Sequence, residues 1–426
     1  MLNIILILLG KIVISISKLT NIGSGSTWPG HIALNLNNNF IKEILSNNRN
    51  LKTILIAGTN GKTTTSKLTA IILNHYGKKV FQNKAGANLM NGIASSLIEN
   101  SSLLGSIKFD YGIFEVDENS LPLALENINP AIITLLNLFR DQLDRYGEVN
   151  TIADKWKNIL KKVQSDTTLI LNADDPKIAY LGINRKNTKY FGSMGLNLKK
   201  DHASDSTYCP RCGSKLTYST KTFSHLGNWS CTNCGLKKPK TDVANYKYYP
   251  LSGFYNKYNV HAAVLIARTI GVPEKIFFES LKKFKPAFGR QESLKFKQKN
   301  IKILLSKNPT SFNQSLDTII KLKAKHILII LNDRIPDGRD VSWIWDVDFE
   351  NSINNFKSVY VSGDRVYDMA LRLKYSEVQD FNIYEKLKEA INSQLLNVQK
   401  NEILYILPTY SAMLDLRKIL TGKQII

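Results

Sequence analysis

Residues 57–65 read AGTNGKTTT and follow directly on an apolar run at 53–57. Two glycines, a lysine and three threonines in that order suit phosphate chemistry. A strand that runs into a turn built on Gly58 and Gly61 can aim backbone N–H groups at phosphate oxygens. Lys62 can then reach the β and γ phosphates, and the Thr63 hydroxyl can hold Mg²⁺. The candidate nucleotide contacts are Gly58, Thr59, Asn60, Gly61, Lys62, Thr63 and Thr64, and a helix is expected over 64–75. The two glycines stand two residues closer than in the GxxxxGK form, but an ordinary Gly-rich αβ turn does not explain the whole string.

The cysteines form a second chemical unit: Cys209-Pro-Arg-Cys212 and Cys231-Thr-Asn-Cys234, each pair followed by a glycine, Gly213 and Gly235. Two CxxC knuckles can bring four thiolates to the corners of a tetrahedron, which is zinc-ribbon spacing. All four cysteines of the chain are used, so a structural Zn²⁺ is expected rather than disulfides or redox work. A closed four-sulfur site has no open position for catalysis, and its role would be to stabilise a short insert. His202 and His225 lie nearby as bystanders.

The chain between these landmarks alternates in αβ fashion. Apolar stretches end in FEVDE at 114–118, NLFRD at 137–141 and NADDP at 172–176. Acids at strand ends sit where an open parallel sheet places its ligands. Glu115 is therefore the candidate Mg²⁺ ligand opposite Thr63, because a hard cation bridging phosphates takes carboxylate and hydroxyl oxygens. Helix caps or surface ion pairs are the alternative roles for such acids.

The 426 residues, with 43% apolar content, suit two or three domains with full cores. The net charge of +22 is spread along the chain without a tight Lys/Arg block. It reads as a generally basic surface, with attraction to anionic lipid or substrate as the alternative, and nucleic acid is not an expected partner. The N-terminus is strongly apolar at 2–9 and 12–16 but broken by Gly10 and Lys11. It is short for a bilayer span and has neither the basic start nor the cleavage site of a signal peptide. It would pack on the domain behind it or rest on a membrane face. The expected location is cytoplasmic, with a peripheral position at the inner membrane face as its extension.

In order and spacing, AGTNGKTTT, FEVDE, LLNLFRDQLDRYGE, LNADDP and SGFYNKYNVHAA at 252–263 resemble the Mur ligase family, ATP-dependent enzymes that join an amine to a carboxylate. Within it, the four-cysteine insert, DGRDVSWIWD at 337–346, and the pair SGDRVYDMALRLKY and ILPTYSAMLDLR are similar to MurT-type synthetase subunits of lipid II isoglutaminyl synthases. The resemblance covers residues 30–420.

It implies an α/β fold: a Mur-ligase-like central P-loop ATPase domain with an inserted four-cysteine zinc ribbon, then an α/β, Rossmann-like C-terminal domain. The boundaries expected are an N-terminal segment at 1–47, the ATP-binding domain at 48–287 with the ribbon at 203–240, and the C-terminal domain at 288–426. The resemblance also implies the cofactors ATP, Mg²⁺ and Zn²⁺. It assigns Lys62 and Thr63 to the triphosphate, Thr63 and Glu115 to Mg²⁺, Asn256 and Asn259 to the nucleotide, and Arg290 to the phosphates. Two departures stand out: Gln142 where ordinary Mur ligases have a histidine, and Lys307-Asn308-Pro309 where they have His-Asn-Pro. Lys155 falls near their carbamylated lysine.

The reaction implied is amidation of the D-glutamate α-carboxylate of the lipid II stem peptide to D-isoglutamine through an acyl phosphate. With every cysteine committed to the ribbon, none is left to attack glutamine. Ammonia would come from a GatD-like glutaminase subunit in a heterodimer. Asp346, with Asp340 as second choice, is the acid nominated to complete that partner's catalytic triad, and Trp343 and Trp345 flank it as interface residues or as a buried strand. The competing readings are an amino-acid-adding or folylpolyglutamate synthase-like Mur relative, and a zinc-ribbon nucleic-acid ATPase.

Overall fold

The run Ile54–Ala57 is fully buried on both faces, the pattern of an interior strand of a parallel sheet. The computed structural model describes residues 2–20, 27–84, 86–141, 149–194, 205–286, 289–378 and 380–422. Gln142, His202 and the expected boundary at 287/288 lie outside the described residues.

Six strands, β1 (Lys52–Ala57), β2 (Val80–Gln82), β3 (Tyr111–Val116), β4 (Ile132–Leu135), β5 (Thr168–Asn172) and β6 (Thr188–Phe191), form a parallel sheet in the order β2-β3-β1-β4-β5-β6. One face carries the helix Lys62–His75, the helix Phe254–Ile270 and the helix Glu274–Lys282. The other carries α1 (Leu2–Thr20), α2 (Trp28–Leu36) and α3 (Phe40–Asn47), together with the helices Met90–Asn100, Leu121–Asn127 and Val149–Leu160. These N-terminal helices cross closely at small residues. A Cβ on Gly10 would lie 2.8 Å from Ile98, and one on Gly30 would lie 1.9 Å from the Asn91 carbonyl oxygen.

Beyond β6 the chain leaves the sheet for a hairpin of β7 (Thr217–Phe223) and β8 (Leu226–Ser230), then returns beside β6 through a parallel bridge between Phe191 and Val243.

The second sheet comprises β9 (Arg290–Phe296), β10 (Lys299–Leu304), β11 (His326–Ile330), β12 (Ser358–Ser362), β13 (Asn382–Ile383) and β14 (Ile403–Pro408), ordered β13-β12-β11-β14-β10-β9. All neighbours are parallel except β9 and β10. Helices Pro309–Lys321 and Val366–Tyr375 cover one face, and Leu387–Asn397 and Tyr410–Thr421 the other. Gln291 ties β9 to the loop before the helix Phe254–Ile270: at φ 61°, its side-chain amide donates to the Ser252 carbonyl at 2.6 Å and accepts from the Ser252 N–H at 3.1 Å.

Candidate active site

The cleft between the sheets opens at the carboxyl ends of β1, β3 and β4, where ligands of such sheets bind. The turn after β1 needs its glycines. Gly58 and Gly61 take φ of 141° and 95°, and a Cβ on Gly61 would meet Asn259 Oδ1 at 2.2 Å. The helix begins at Lys62, two residues before the expected start, so its first-turn N–H groups face the turn.

Lys62 donates to Glu118 at 2.9 Å and to the Gly58 carbonyl at 2.5 Å, sheltered from solvent. Burial works against its charge, but Glu118 and Asp117 outweigh it and hold its pKa above the ordinary lysine value. Glu118 is held at about 2: burial opposes ionisation, and the charges of Lys62 and Lys307 overcome it. The Thr63 hydroxyl donates to Glu115 at 2.7 Å. Glu115 is buried, and burial raises its pKa against the opposing pull of Thr63, Lys62 and Arg290. A hydroxyl and a carboxylate so close, beside a phosphate-type turn, are a donor set suited to Mg²⁺.

Asn256 and Asn259 sit one turn apart on the helix Phe254–Ile270, joined at 3.1 Å, and Asn259 Oδ1 lies against Gly61. Arg290 enters from β9 into the same cleft, its pKa lowered by burial and pulled back up by Tyr255 and Glu115. Lys307 bonds Asp141 from across the cleft, and Asn308 caps the helix Pro309–Lys321 while its side chain reaches Asn60 at 3.4 Å. Lys155 is exposed at the rim, 3.4 Å from Asn119.

Next to the phosphate turn the cleft becomes apolar. Phe139, Phe223, Leu226 and Tyr258 line a narrow slot with Asn137, Asn259 and Gln314. Phe139 and Phe223 lie near-parallel at 6.1 Å, and Tyr258 meets Phe223 edge-on at 5.8 Å. Phe223 and Leu226 come from the tip of the β7–β8 hairpin. That tip is fixed to the end of β5. The Gly227 N–H donates to the Asp174 carbonyl at 3.1 Å, His225 lies 3.3 Å from Asp175, and the Trp229 indole N–H donates to the Ala173 carbonyl at 3.0 Å.

The four cysteines flank this hairpin, with all their sulfurs within 4.8 Å of one another. Cys209 and Cys234 stand 3.6 Å apart, as do Cys212 and Cys231. Four sulfurs about 2.3 Å from one tetrahedral ion lie roughly 3.8 Å apart, so the cluster fits a single ion. His225 is committed to Asp175, not to the cysteines.

Asp346 ends a 3₁₀ helix, Ser342–Asp346, rather than a strand. It is half-exposed and faces Arg140 at 3.4 Å; Arg140 also holds Asp205 at 2.6 Å. Asp340 accepts the Ser342 N–H, which lowers its pKa. Trp343 packs on Phe312, whereas Trp345 is exposed and meets Tyr375 edge-on at 5.5 Å.

Of the predicted residues, the structure brings together Gly58 to Thr64, Glu115, Asn256, Asn259 and Arg290, and sets Asp346 and the cysteines apart. Sequence reasoning passed over Glu118, Asp141, Phe139, Phe223 and Leu226. The acid Glu118 stood within the quoted FEVDE. Phe223 and Leu226 stand in a mostly polar hairpin between the CxxC pairs, and no local signal in the sequence marks them.

The Mur ligase middle domain matches residues 56–267, and the MurT ligase C-terminal domain residues 305–413. The chain is 33% identical to the lipid II isoglutaminyl synthase (glutamine-hydrolyzing) subunit MurT of Streptococcus pneumoniae, over 96% of this chain and 95% of that one. Against the subunit of the same name from Staphylococcus aureus (strain COL) the identity is 32%, over 83% and 84%. In fold it is similar to a pseudomurein peptide ligase type C from Methanothermus fervidus, with a TM-score of 0.67 and 22% identity over 92% and 84% of the two chains.

Proposed function

We propose, from the premise that the chain belongs to the Mur ligase family and to its MurT branch, that it is the synthetase subunit of a lipid II isoglutaminyl synthase. The reaction is ATP-dependent amidation of the D-glutamate α-carboxylate in the stem peptide, at the cytoplasmic face of the membrane. In this reading the ATP-binding domain runs over 48–287 with the ribbon at 203–240, and the C-terminal domain over 288–426.

The observation that carries the proposal is the convergence of Lys62, the Thr63–Glu115 pair and Arg290 in one cleft between the two sheets. A carboxylate resists attack by ammonia because its leaving group is oxide. Its oxygen attacks the γ-phosphorus, ADP leaves, and the acyl phosphate then has phosphate as a good leaving group. Lys62 and Arg290 neutralise the transferring phosphoryl group, and the cleft holds the carboxylate in line. Mg²⁺, held by Thr63 and Glu115, would supply charge neutralisation at the phosphates. The apolar slot of Phe139, Phe223 and Leu226 would take the adenine. Cys209, Cys212, Cys231 and Cys234 would hold Zn²⁺, which would cross-link the two ends of the hairpin that carries Phe223 and Leu226.

Ammonia comes from a glutaminase partner that docks on the exposed Trp345 and Tyr375 and takes Asp346 as the acid of its triad. The half-exposed position of Asp346 supports this role.

The test is amidation of lipid II by mass spectrometry, with ammonium or glutamine, with and without a co-purified glutaminase. Ammonium alone should suffice, and glutamine should work only with the partner. Addition of an amino acid in place of ammonia would refute the proposal. Asp346→Asn should cut glutamine-dependent turnover roughly 10³-fold and spare ammonium-dependent turnover.

A further inference from the structure

The helix α1 buries Leu6, Ile7, Gly10 and Ile14 against α2 and the helix Met90–Asn100. Its other side is as apolar as the buried one. Leu2, Ile5, Leu9, Ile12 and Ile16 recur at three- and four-residue steps, one stripe of a helix, and Ile4 and Leu8 widen it. Each is 41–53% exposed. The polar residue on that side is Ser15, whose hydroxyl is turned back onto the Lys11 carbonyl at 2.9 Å. On the buried side Ile7 packs near Gly105, whose loop carries the exposed Leu103 and Leu104. The stripe on α1 is a continuous exposed aliphatic surface, and such surfaces mark interaction sites.

Charge decides what covers it. Residues 1–60 hold five Lys and Arg, at 11, 18, 42, 49 and 52, against one acid, Glu43. Asn48 accepts the Ile107 N–H at 2.8 Å and donates to the Gly105 carbonyl at 2.9 Å, setting the exposed Arg49 and Lys108 beside the Leu103–Leu104 loop. A second copy would bring like charge against like at a net +22, whereas an anionic lipid surface attracts it. Among the described residues no helix is long and apolar enough to cross a membrane. The aliphatic stripe of α1 matches a helix lying in the interface plane, with the exposed Arg49 and Lys108 supplying basic charge from neighbouring loops.

We propose that α1 is a membrane-docking helix that seats its Leu2–Ile5–Leu9–Ile12–Ile16 stripe in an anionic bilayer. The proposal deepens the preceding one, in which the substrate is lipid-linked, but its test does not depend on it.

The full chain, with its partner if they co-purify, is sedimented with vesicles of phosphatidylcholine and of phosphatidylcholine with phosphatidylglycerol, neither containing lipid II. Binding should favour the anionic vesicles, weaken with salt, and fall roughly tenfold or more in Ile5→Glu/Ile12→Glu. Both side chains are solvent-facing, so the variant should keep its nucleotide affinity, and Leu9→Ser/Ile16→Ser provides a milder second variant. A wild-type chain that stays in the supernatant with anionic vesicles overturns the proposal, as do glutamate variants that bind as well as wild type. So does a lipid-independent dimer, seen by sedimentation equilibrium, that these variants abolish. Vesicle binding without amidation activity would uphold docking while removing the lipid II reading.

Discussion

The two ends of the nucleotide cleft are built in opposite ways. At the phosphate end, charged groups are buried in pairs: Lys62 with Glu118, and Lys307 with Asp141. At the other end, Phe139, Phe223 and Leu226 form an apolar wall whose pieces lie far apart in sequence and are locked by bonds to the end of β5. Charge placed where the transferred group gathers negative density acts on the transition state, whereas an apolar wall holds substrate and transition state alike. Substitutions at the phosphate end should therefore change kcat, and those at the apolar end KM for ATP.

Glu115→Gln tests the first half most sharply. It removes a charge from the Thr63–Glu115 pair, and kcat should fall by about 10²–10³ at saturating Mg²⁺, read as ADP release. Phe223→Ala should raise KM for ATP about tenfold with kcat nearly unchanged. If it lowers kcat as much as Glu115→Gln does, the division between the two ends is wrong. Stripping metal from the four cysteines should weaken binding of a fluorescent ATP analogue severalfold, reversed by added zinc, because the hairpin would lose the cross-link at its base and keep only its bonds to the end of β5. Unchanged affinity after chelation would detach the cysteines from the nucleotide slot.

The smallest effect concerns His261, which ties this end of the first sheet to the helix Phe254–Ile270. It lies 2.6 Å from the Gly192 carbonyl and 2.8 Å from the Tyr249 hydroxyl. Burial, with the Lys257 charge assisting and the Gly192 bond opposing, lowers its pKa to about 4. The unfolded chain then binds this proton first, near the ordinary histidine pKa of about 6.5, so folded stability should drop as pH falls from there toward 4. The slope attributable to this group is at most about 1.4 kcal/mol per pH unit. His261→Gln should flatten it in denaturant melts taken across that range.

The phosphate end was legible because its determinants are local. Gly58 and Gly61 occupy backbone angles that favour glycine, and Lys62 and Thr63 follow at fixed distance. The cysteine cluster was legible for the same reason, since two short knuckles set most of its geometry. The apolar end was not, because Phe139 and Phe223 meet only after an insert folds back on the sheet, and no local periodicity records that. Glu118 was hidden by a turn that brings it, rather than a residue nearer in sequence, onto Lys62. In SWIWD the misleading sign was aromatic content, which suggested a strand. Val341, Ile344 and Val347, buried at steps of three, carried the 3₁₀ period. In α1 an aliphatic outer side masked the stripe that separates its two faces.

The bridge between Phe191 and Val243 sets the exit and the return of the chain side by side. The excursion between them is topologically a closed detour: it can be shortened, exchanged or moved to a related sheet without rethreading a strand. In the proposed reading, the part of the apolar wall made by Phe223 and Leu226 is an accessory to the sheet, while the phosphate turn belongs to the sheet itself. Joining the chain across that bridge would remove Phe223 and Leu226 and leave Phe139 and Tyr258 as the remaining apolar wall, with the phosphate turn unchanged in sequence.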